Sequence, residues 1–331
     1  MQLMNSSIPN TLGVPSVAEK LYEVDSLSSL QVVLSQNESI IVLGEASNVV
    51  LPPQLTQTVC LMKLRGISFE KVEGKIRVTS GAGESWHGLV RRCLANEAFG
   101  LENLALIPGS VGAAPIQNIG AYGVQLSDHF VSLRAIKIST GEIIKFSRED
   151  ACFGYRESYF KSPSFSDYVI FEVTLELNQK PDIKADYYDI QEQLKDSGIT
   201  KPRPIDIASA VIRVRRRKLP NPQVLGNTGS FFKNPIITRA MSKKLLGKNF
   251  EFSMQEQEDG EHFKVSAAQL IDAAGLKGLS IGRAAVWKRQ PLVLVNEGGA
   301  TAQEFLLLAE TIRQEVKKAY GIALELEPII L

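Results

Sequence analysis

The apolar positions of the chain follow both strand and helix periods, which predicts an α+β fold. An apolar run from Ile40 to Leu43 ends at Gly44, and a second predicted strand ends at Gly81 and Gly83. Between Val169 and Leu177 every odd position is apolar, which is typical of a strand with one buried face. These strands and the helices between them give the fold class but no function.

Three amphipathic helices are predicted in the same way. From Trp86 to Leu94 the apolar residues recur at helical spacing. Two further helices begin at capping-box pairs, in which an N-cap hydroxyl precedes a Glu or Gln by three residues. These pairs are Ser266 with Gln269 and Thr301 with Glu304. The polar segment 179–205, which contains three prolines, predicts a connection between domains.

Composition excludes several classes of function. The 37 Lys and Arg residues are balanced by 36 Asp and Glu residues, so no net field attracts nucleic acid or an anionic membrane. The basic run from Arg213 to Lys218 is therefore interpreted as a solvated face. No apolar run reaches the roughly 18 residues of a membrane span, and no secretory signal is visible. We expect a cytoplasmic protein with no metal centre.

The three cysteines support the same location. Cys60, Cys93 and Cys152 are odd in number and widely spaced, so they form neither a metal-binding pattern nor a disulfide framework. We expect buried thiols in a reducing compartment.

Three glycine-containing turns are candidates for binding an anionic ligand. The longest lies between Leu106 and Leu126, and shorter ones occur at 44–48 and 81–87. Closely spaced Gly and Ala residues let the main chain approach a ligand. None of these turns has the spacing of a Walker or a Rossmann motif, and each by itself is also compatible with an ordinary packed turn. Three in one domain favour a cradle for an extended dinucleotide.

Four polar residues in three stretches of the sequence are candidates for chemistry. Arg156 lies in the stretch GYRESYFK and offers a planar fork to a carboxylate, although a surface arginine would look the same. Ser230 lies between a glycine and two phenylalanines, as a positioned proton donor or as a capping serine would. Glu325 and Glu327 share one face of an extended C-terminal segment, which could also be an exposed strand end.

Taken together, these motifs resemble the UDP-N-acetylenolpyruvoylglucosamine reductase (MurB) family over essentially the whole chain. The stretches IPGSVGAAPIQNIGAYGVQ and GNTGSFFKNP are long and specific. The resemblance implies noncovalent FAD, NADPH as reductant, and reduction of UDP-N-acetylglucosamine enolpyruvate to UDP-N-acetylmuramate in peptidoglycan precursor synthesis. The alternative is another flavin oxidoreductase of the same fold. We expect a monomer whose partners are a UDP-sugar and NADPH.

The resemblance also implies a domain plan. It predicts an FAD-binding domain of the vanillyl-alcohol-oxidase type in two subdomains, 1–65 and 66–204, the second carrying a substrate-loop insertion. Residues 205–331 would form an α+β substrate domain.

The resemblance assigns roles to individual residues. Ser230 matches the proton donor, and Arg156 and Glu327 match the pair that flanks the enolpyruvyl group. A neighbouring substrate carboxylate and burial would both disfavour ionisation of Glu327, so we expect it to be protonated. The substrate contacts would be Lys218, Asn234, Lys264, Gln290 and Tyr187, with Tyr188 as the alternative to Tyr187. The cofactor contacts would be Gly44, Glu45, Ala46, Ser47, Asn48, Gly81, Gly83, Pro108, Gly109, Ser110, Gly112, Ala113, Ala114, Gln117, Asn118, Gly120, Ala121 and Tyr122.

The sequence departs from the family pattern at a few positions. Ala46 stands where glycine is usual, which predicts a turn with negative φ at that residue. Trp287 stands where many relatives have histidine, and the aromatic often found shortly before the lysine matched by Lys264 is missing. These differences bear on sugar and uracil contacts. His87, near the second glycine turn, is interpreted as structural rather than as an attachment point for flavin.

Overall fold

The computed structural model describes residues 2–37, 39–246 and 251–331. Its strands are β1 Gln2–Ser7, β2 Val17–Val24, β3 Ile40–Leu43, β4 Val49–Val50, β5 Gln54–Met62, β6 Ile67–Val72, β7 Lys75–Gly81, β8 Gly120–Ala121, β9 Val124–Gln125, β10 Phe130–Lys137, β11 Ile143–Ser147, β12 Tyr168–Asn178, β13 Gly226–Ser230, β14 Ile236–Thr238, β15 Met254–Glu256, β16 His262–Val265, β17 Ser280–Ile281, β18 Ala284–Val286, β19 Val293–Asn296 and β20 Ile329–Ile330. Its helices are α1 Leu27–Gln36, α2 Trp86–Ala95, α3 Tyr188–Asp196, α4 Pro204–Lys218, α5 Arg239–Leu246, α6 Ala267–Ala273 and α7 Ala302–Tyr320.

The chain forms two compact units. The first contains Met1–Ser6, Ala18–Ala46 and Leu55–Arg217, and the second contains Ser7–Val17, Ser47–Gln54 and Lys218–Leu331. The three domains inferred from sequence, with boundaries at 65 and 204, stay a prediction.

The first unit contains two larger sheets and the two-stranded sheet β8-β9. One has the strand order β1-β2-β5-β3, and β3 pairs with β5 in parallel. The other has the order β11-β10-β12-β7-β6, and all of its described pairings are antiparallel. Helix α2 buries Trp86, Leu89, Val90 and Cys93, as the helical spacing predicted. The Trp86 indole N–H donates to the Leu104 carbonyl at 3.0 Å, so a buried polar group is satisfied.

The second unit contains smaller sheets and the longest helix. Strand order is β13-β19-β18-β17 in one sheet and β14-β16-β15 in another, and β20 pairs with β4 in parallel. Helix α7 begins at the predicted capping box of Thr301 and Glu304. It ends at Gly321, whose φ of +71° is the left-handed conformation that glycine adopts without steric cost.

The predicted α+β class is confirmed, since helices and mostly antiparallel strands alternate in both units. In the part of the chain that the structure describes, no helix is both long enough and apolar enough to cross a bilayer. Within the same residues, His, Cys, Asp and Glu side chains form no cluster suited to a metal ion.

The expectation of three buried thiols is wrong for one of them. Cys60 and Cys93 are buried, but Cys152 is exposed. Burial raises the pKa of the Cys60 and Cys93 thiols to about 12, with Glu102 adding to the effect at Cys93. Both buried side chains therefore remain protonated and inaccessible at neutral pH.

We expect a disulfide reagent such as dithionitrobenzoate to modify one thiol per native chain at pH 8, and three after unfolding. The reactive species is the thiolate, which only the exposed Cys152 can present to the reagent. In Cys152→Ser the native chain should give no rapid colour. Two rapidly reacting thiols in the native protein would contradict the assignment.

Candidate active site

In the first unit, residues 44–46 of the first glycine turn meet the other two turns predicted from the sequence. The Gly109 amide donates to a carboxylate oxygen of Glu45 at 2.9 Å, which joins the longest turn to the first. The Gly112 amide donates to the Ala82 carbonyl at 2.9 Å, which joins it to the second. The turns therefore form one cluster of main chain.

At several glycines of these turns, a side chain is excluded by neighbouring atoms of the same cluster or of residues 63–64. A Cβ atom on Gly83 would lie 2.5 Å from the Lys63 carbonyl carbon, and one on Gly112 would lie 2.6 Å from the Ala82 Cβ. At Gly44 a Cβ would collide with the Ser110 side chain. A glycine-lined cluster presents main chain rather than side chains, as the close approach of a dinucleotide requires. These residues fit FAD.

The backbone at Ala46 corrects one expectation. Ala46 has a φ of +47°, so the predicted negative φ is wrong, and a non-glycine residue occupies the left-handed region. The side chain is buried, with 5% of its surface exposed. Burial of the methyl group offsets part of the conformational cost, which explains why alanine is tolerated where glycine is usual.

The buried Asn118 side chain stabilises the longest turn through hydrogen bonds. Its amide nitrogen donates to the Gly154 carbonyl at 3.1 Å and to the Ser127 hydroxyl at 3.2 Å, while its oxygen accepts from the Ser127 amide at 2.9 Å. The residue as a whole is 1% exposed, so its side chain holds the turn in shape and is not available to a cofactor.

Arg156 is held against the same turn. Its guanidinium Nη2 donates to the Gly120 carbonyl at 2.7 Å and lies over the Tyr155 ring at 5.5 Å. Its backbone φ of +55° is unusual for a long side chain. Such strain occurs most often at functional sites, and here it accompanies a half-buried cation beside the glycine cluster.

Arg215 is a second cation at this place, and the sequence interpretation missed it. Its Nε donates to the Leu106 carbonyl at 3.2 Å, and its guanidinium donates to the Tyr122 hydroxyl. Burial is the largest influence and lowers the pKa of Arg215, nearby Arg156 acts in the same direction, and Tyr122 opposes them.

The buried face of α4 could have identified it. Residues Ile207, Val211 and Val214 are buried, and Arg215 continues this stripe at position i+4 from Val211. Arg213, Arg216 and Arg217 are exposed, so the interpretation as a solvated face holds for them and fails for Arg215.

His87 has the structural role expected of it. Its Nδ1 accepts a hydrogen bond from the Leu106 amide at 3.0 Å. Burial, assisted by Arg91, Arg216 and Arg215, lowers the pKa of His87, so the ring is neutral at pH 7 and can accept.

In the second unit, Ser230 and Glu327 come from distant parts of the chain to neighbouring segments. Ser230 ends β13 and pairs with Val293 of β19. The Glu327 amide donates to the Phe231 carbonyl at 3.0 Å, and this hydrogen bond fixes Glu327 next to the residue that follows Ser230. Both side chains are half-buried, so they line an accessible surface rather than the core. Glu325 is exposed and forms an ion pair with Lys233 at 3.2 Å.

The predicted substrate contacts of this unit surround the same segment. Asn234 accepts from the Ala267 amide at 2.9 Å, so its oxygen holds the start of α6 and its amide nitrogen is the group suited to a ligand. Lys264 pairs with Ile236 across β14 and β16. The Gln290 main-chain carbonyl accepts a hydrogen bond from the Val293 amide at 2.9 Å. The Gln290 residue is half-buried.

Two predicted cofactor contacts also lie in the second unit. The Asn48 side-chain Nδ2 donates to the Glu327 main-chain carbonyl at 3.2 Å. The Asn48 main-chain carbonyl accepts from the Ile329 amide at 3.0 Å. Asn48 thereby ties the C-terminal segment in place. Ser47 precedes it in the same unit. Trp287 packs against the small core of Val293 and its neighbours.

The two candidate loop tyrosines have different surroundings in the structure. The Tyr187 ring lies edge-to-face with the Tyr122 ring, with centroids 5.5 Å apart and an angle of 84°. Tyr188 is the first residue of α3 and is 72% exposed. Within the first unit, the structure thus brings together Tyr187, Arg156 and the glycine turns; Ser230, Glu327, Asn234, Lys264, Gln290 and Lys218 belong to the second unit.

Comparison with known proteins gives the same assignment along the chain. A family model described as an FAD binding domain matches residues 23–147, which contain all three glycine turns. A model described as the C-terminal domain of UDP-N-acetylenolpyruvoylglucosamine reductase matches residues 221–331, which contain Ser230 and Glu327.

Relatives and a solved structure extend the match to the whole chain. The UDP-N-acetylenolpyruvoylglucosamine reductase of Chromobacterium violaceum is 39% identical over 97% of this chain and 96% of its own length. That of Paraburkholderia phymatum is 46% identical over 88% of this chain and 85% of its own. The crystal structure of the Thermus caldophilus enzyme, MurB, covers 100% of this chain and 98% of its own at 24% identity, with a TM-score of 0.69, which supports the fold. The chain belongs to the UDP-N-acetylenolpyruvoylglucosamine reductase family.

Proposed function

We propose that this protein is an FAD-containing oxidoreductase that reduces UDP-N-acetylglucosamine enolpyruvate to UDP-N-acetylmuramate with NADPH, in peptidoglycan precursor synthesis. The observation that carries the proposal is the match of an FAD-binding model over the glycine turns and of the reductase C-terminal model over Ser230 and Glu327. The relatives named for this reaction match over 88% and 97% of the chain.

When bound, FAD would supply the hydride-transfer chemistry between NADPH and the terminal carbon of the enolpyruvyl group. The main chain of the glycine turns would hold the FAD phosphates and ribityl group. Hydride addition to the substrate pushes negative charge toward the carbon that bears the carboxylate.

Each proposed catalytic residue then has a separate task. Arg156, fixed by its bond to Gly120, offers a cation where negative charge develops. A preorganised group of this kind contributes roughly 3–4 kcal/mol. Protonated Glu327 donates a hydrogen bond to the same developing anion. Ser230 delivers the proton to the carbanionic carbon, and positioned proton transfer contributes about 10²–10⁴-fold.

The remaining proposed residues bind the substrate. Lys218 and Lys264 offer cations to the diphosphate or carboxylate of the UDP-sugar, and Asn234 and Gln290 offer amide groups. Tyr187 covers the UDP-sugar from the loop that precedes α3. We also propose three domains with boundaries near 65 and 204, a monomer, and a cytoplasmic location where the substrate and NADPH occur.

The decisive experiment is an assay of the purified protein. It should be yellow, release FAD when heated, and oxidise NADPH over many turnovers only when the enolpyruvyl substrate is present. The alternative, another flavin oxidoreductase of this fold, would consume oxygen with a simple sugar or alcohol and ignore the enolpyruvyl ether. A colourless protein that cannot be reconstituted with FAD would contradict both functions.

A further inference from the structure

Asn103 connects two loops through one buried amide group. Its Nδ2 donates to the Tyr122 carbonyl at 2.9 Å and to the Lys184 carbonyl at 2.9 Å. The residue is 2% exposed. Because both partners are carbonyl oxygens, only a group with two N–H donors satisfies them together.

The two carbonyls belong to segments with different proposed roles. Tyr122 ends the predicted cofactor-binding turn, and Lys184 precedes Tyr187 by three residues in the loop proposed to cover the substrate. The same segments also meet through the edge-to-face rings of Tyr122 and Tyr187. One main-chain bridge and one ring contact therefore join the cofactor turn to the substrate loop.

Asn103 lies in a turn that is itself held in place by hydrogen bonding. It lies within a short 3₁₀ turn, Glu102–Leu104, whose first residue accepts a hydrogen bond from the Gly100 amide at 2.9 Å. Both hydrogen bonds are partly buried, and together they hold each loop to this 3₁₀ turn through one amide group. Tyr187 is 51% exposed, and its main-chain carbonyl accepts from the Ile190 and Gln191 amides at 2.9 and 3.0 Å, so α3 holds its main chain while its ring contacts Tyr122.

We propose that Asn103 is a positioning residue, which holds the segment from Lys184 to Tyr187 against the cofactor turn so that Tyr187 is ordered before the UDP-sugar binds. This inference rests on the proposed role of Tyr187 in covering the substrate. A loop that is ordered in advance loses less conformational entropy when the ligand arrives. Asn103 should therefore affect the affinity for the UDP-sugar and leave the reaction with NADPH alone.

The test uses the FAD-loaded enzyme and two variants of Asn103. Asn103→Asp keeps the shape but places a carboxylate oxygen against two carbonyl oxygens, and Asn103→Ala removes the bridge without that repulsion. We expect each to raise the KM for the enolpyruvyl UDP-sugar about tenfold, equivalent to about 1.4 kcal/mol. The rate at which NADPH bleaches the flavin should stay within about twofold of the wild-type rate.

Asn37→Asp is the matched control. The Asn37 amide also donates to a main-chain carbonyl, that of Val33 at 2.8 Å, but it caps α1 and touches neither loop. We expect it to lower the melting temperature while the KM for the UDP-sugar is unchanged.

A double-mutant cycle with Tyr187→Ala separates this inference from the proposed function. If Asn103 acts through Tyr187, adding Asn103→Ala to Tyr187→Ala should raise the KM no further. Additive effects, or an Asn103 variant with normal KM beside an impaired Tyr187→Ala, would overturn the inference and leave the proposed function standing. Normal KM in Tyr187→Ala would overturn the role of Tyr187 and the inference with it.

Discussion

Ser230→Ala should still allow NADPH to bleach the bound flavin at the wild-type rate, whereas the enolpyruvyl substrate should restore the yellow colour about 10²–10⁴-fold more slowly. The two half-reactions respond differently because the hydroxyl is proposed to deliver a proton only to the carbanionic carbon of the substrate. Stopped-flow absorbance of the flavin measures both rates on one sample.

We expect the Ser230→Ala substitution to leave the main-chain structure around residue 230 unchanged. Ser230 is held by main-chain pairing of β13 with Val293 of β19, so removing the side-chain oxygen leaves the strand in place. Ser280→Ala is a suitable control, because Ser280 lies in β17 of the same sheet and is exposed. We expect both half-reactions of Ser280→Ala to run at wild-type rates. Normal reoxidation of Ser230→Ala would remove Ser230 from the mechanism, and equal slowing of both half-reactions would indicate a general defect of the site.

Periodic patterns in the sequence predicted the regular elements because those elements depend on local spacing. Helix α7 begins at its predicted capping box and ends at Gly321, and strand β12 covers the alternating stretch from Val169 to Leu177. The glycine turns were likewise predicted to form one cradle, and they meet through close packing of Gly112 on Ala82 and of Gly44 on Ser110.

Features that depend on contacts between residues far apart in the chain could not be predicted from periodic patterns in the sequence. The pairing that places Glu327 beside Phe231 joins two segments far apart in the chain, and only the family resemblance linked Glu327 with Ser230. Asn103 carries no motif at all, since its importance lies in which two carbonyls it reaches. Arg215 was misjudged because weight was given to the charge of its run rather than to the apolar stripe of α4.

Two Gly→Ala substitutions five residues apart should have opposite effects on stability, and the contrast tests the packing of the FAD cradle. At Gly83 an added Cβ would lie 2.5 Å from the Lys63 carbonyl carbon and 2.6 Å from the Leu64 nitrogen. These are main-chain atoms, and the Gly83 amide is also bonded to the Leu64 carbonyl at 2.8 Å, so neither segment can move away easily. Overpacking of this kind costs about 3 kcal/mol in unfolding free energy.

Gly88 is the opposite case in the same part of the chain. It lies within helix α2, and an added Cβ would meet only the Ser85 side chain at 3.5 Å, an ordinary van der Waals contact. Since alanine is favoured over glycine inside a helix, Gly88→Ala should raise the free energy of unfolding by about 0.5–1 kcal/mol. Urea unfolding of the two variants without FAD measures this difference directly.

The same pair distinguishes a damaged cradle from a general loss of stability. Gly83→Ala shifts the turn that is proposed to face FAD, so we expect this variant to purify with less FAD and to bind added FAD more weakly in a fluorescence titration. Gly88→Ala should retain wild-type FAD content. If Gly83→Ala were as stable as the wild type and fully loaded with FAD, the close approach of the turn to residues 63–64 would not be a requirement of the site. That result would show that a side chain can be accommodated at residue 83. Steric exclusion by residues 63–64 would then no longer explain the glycine at this position.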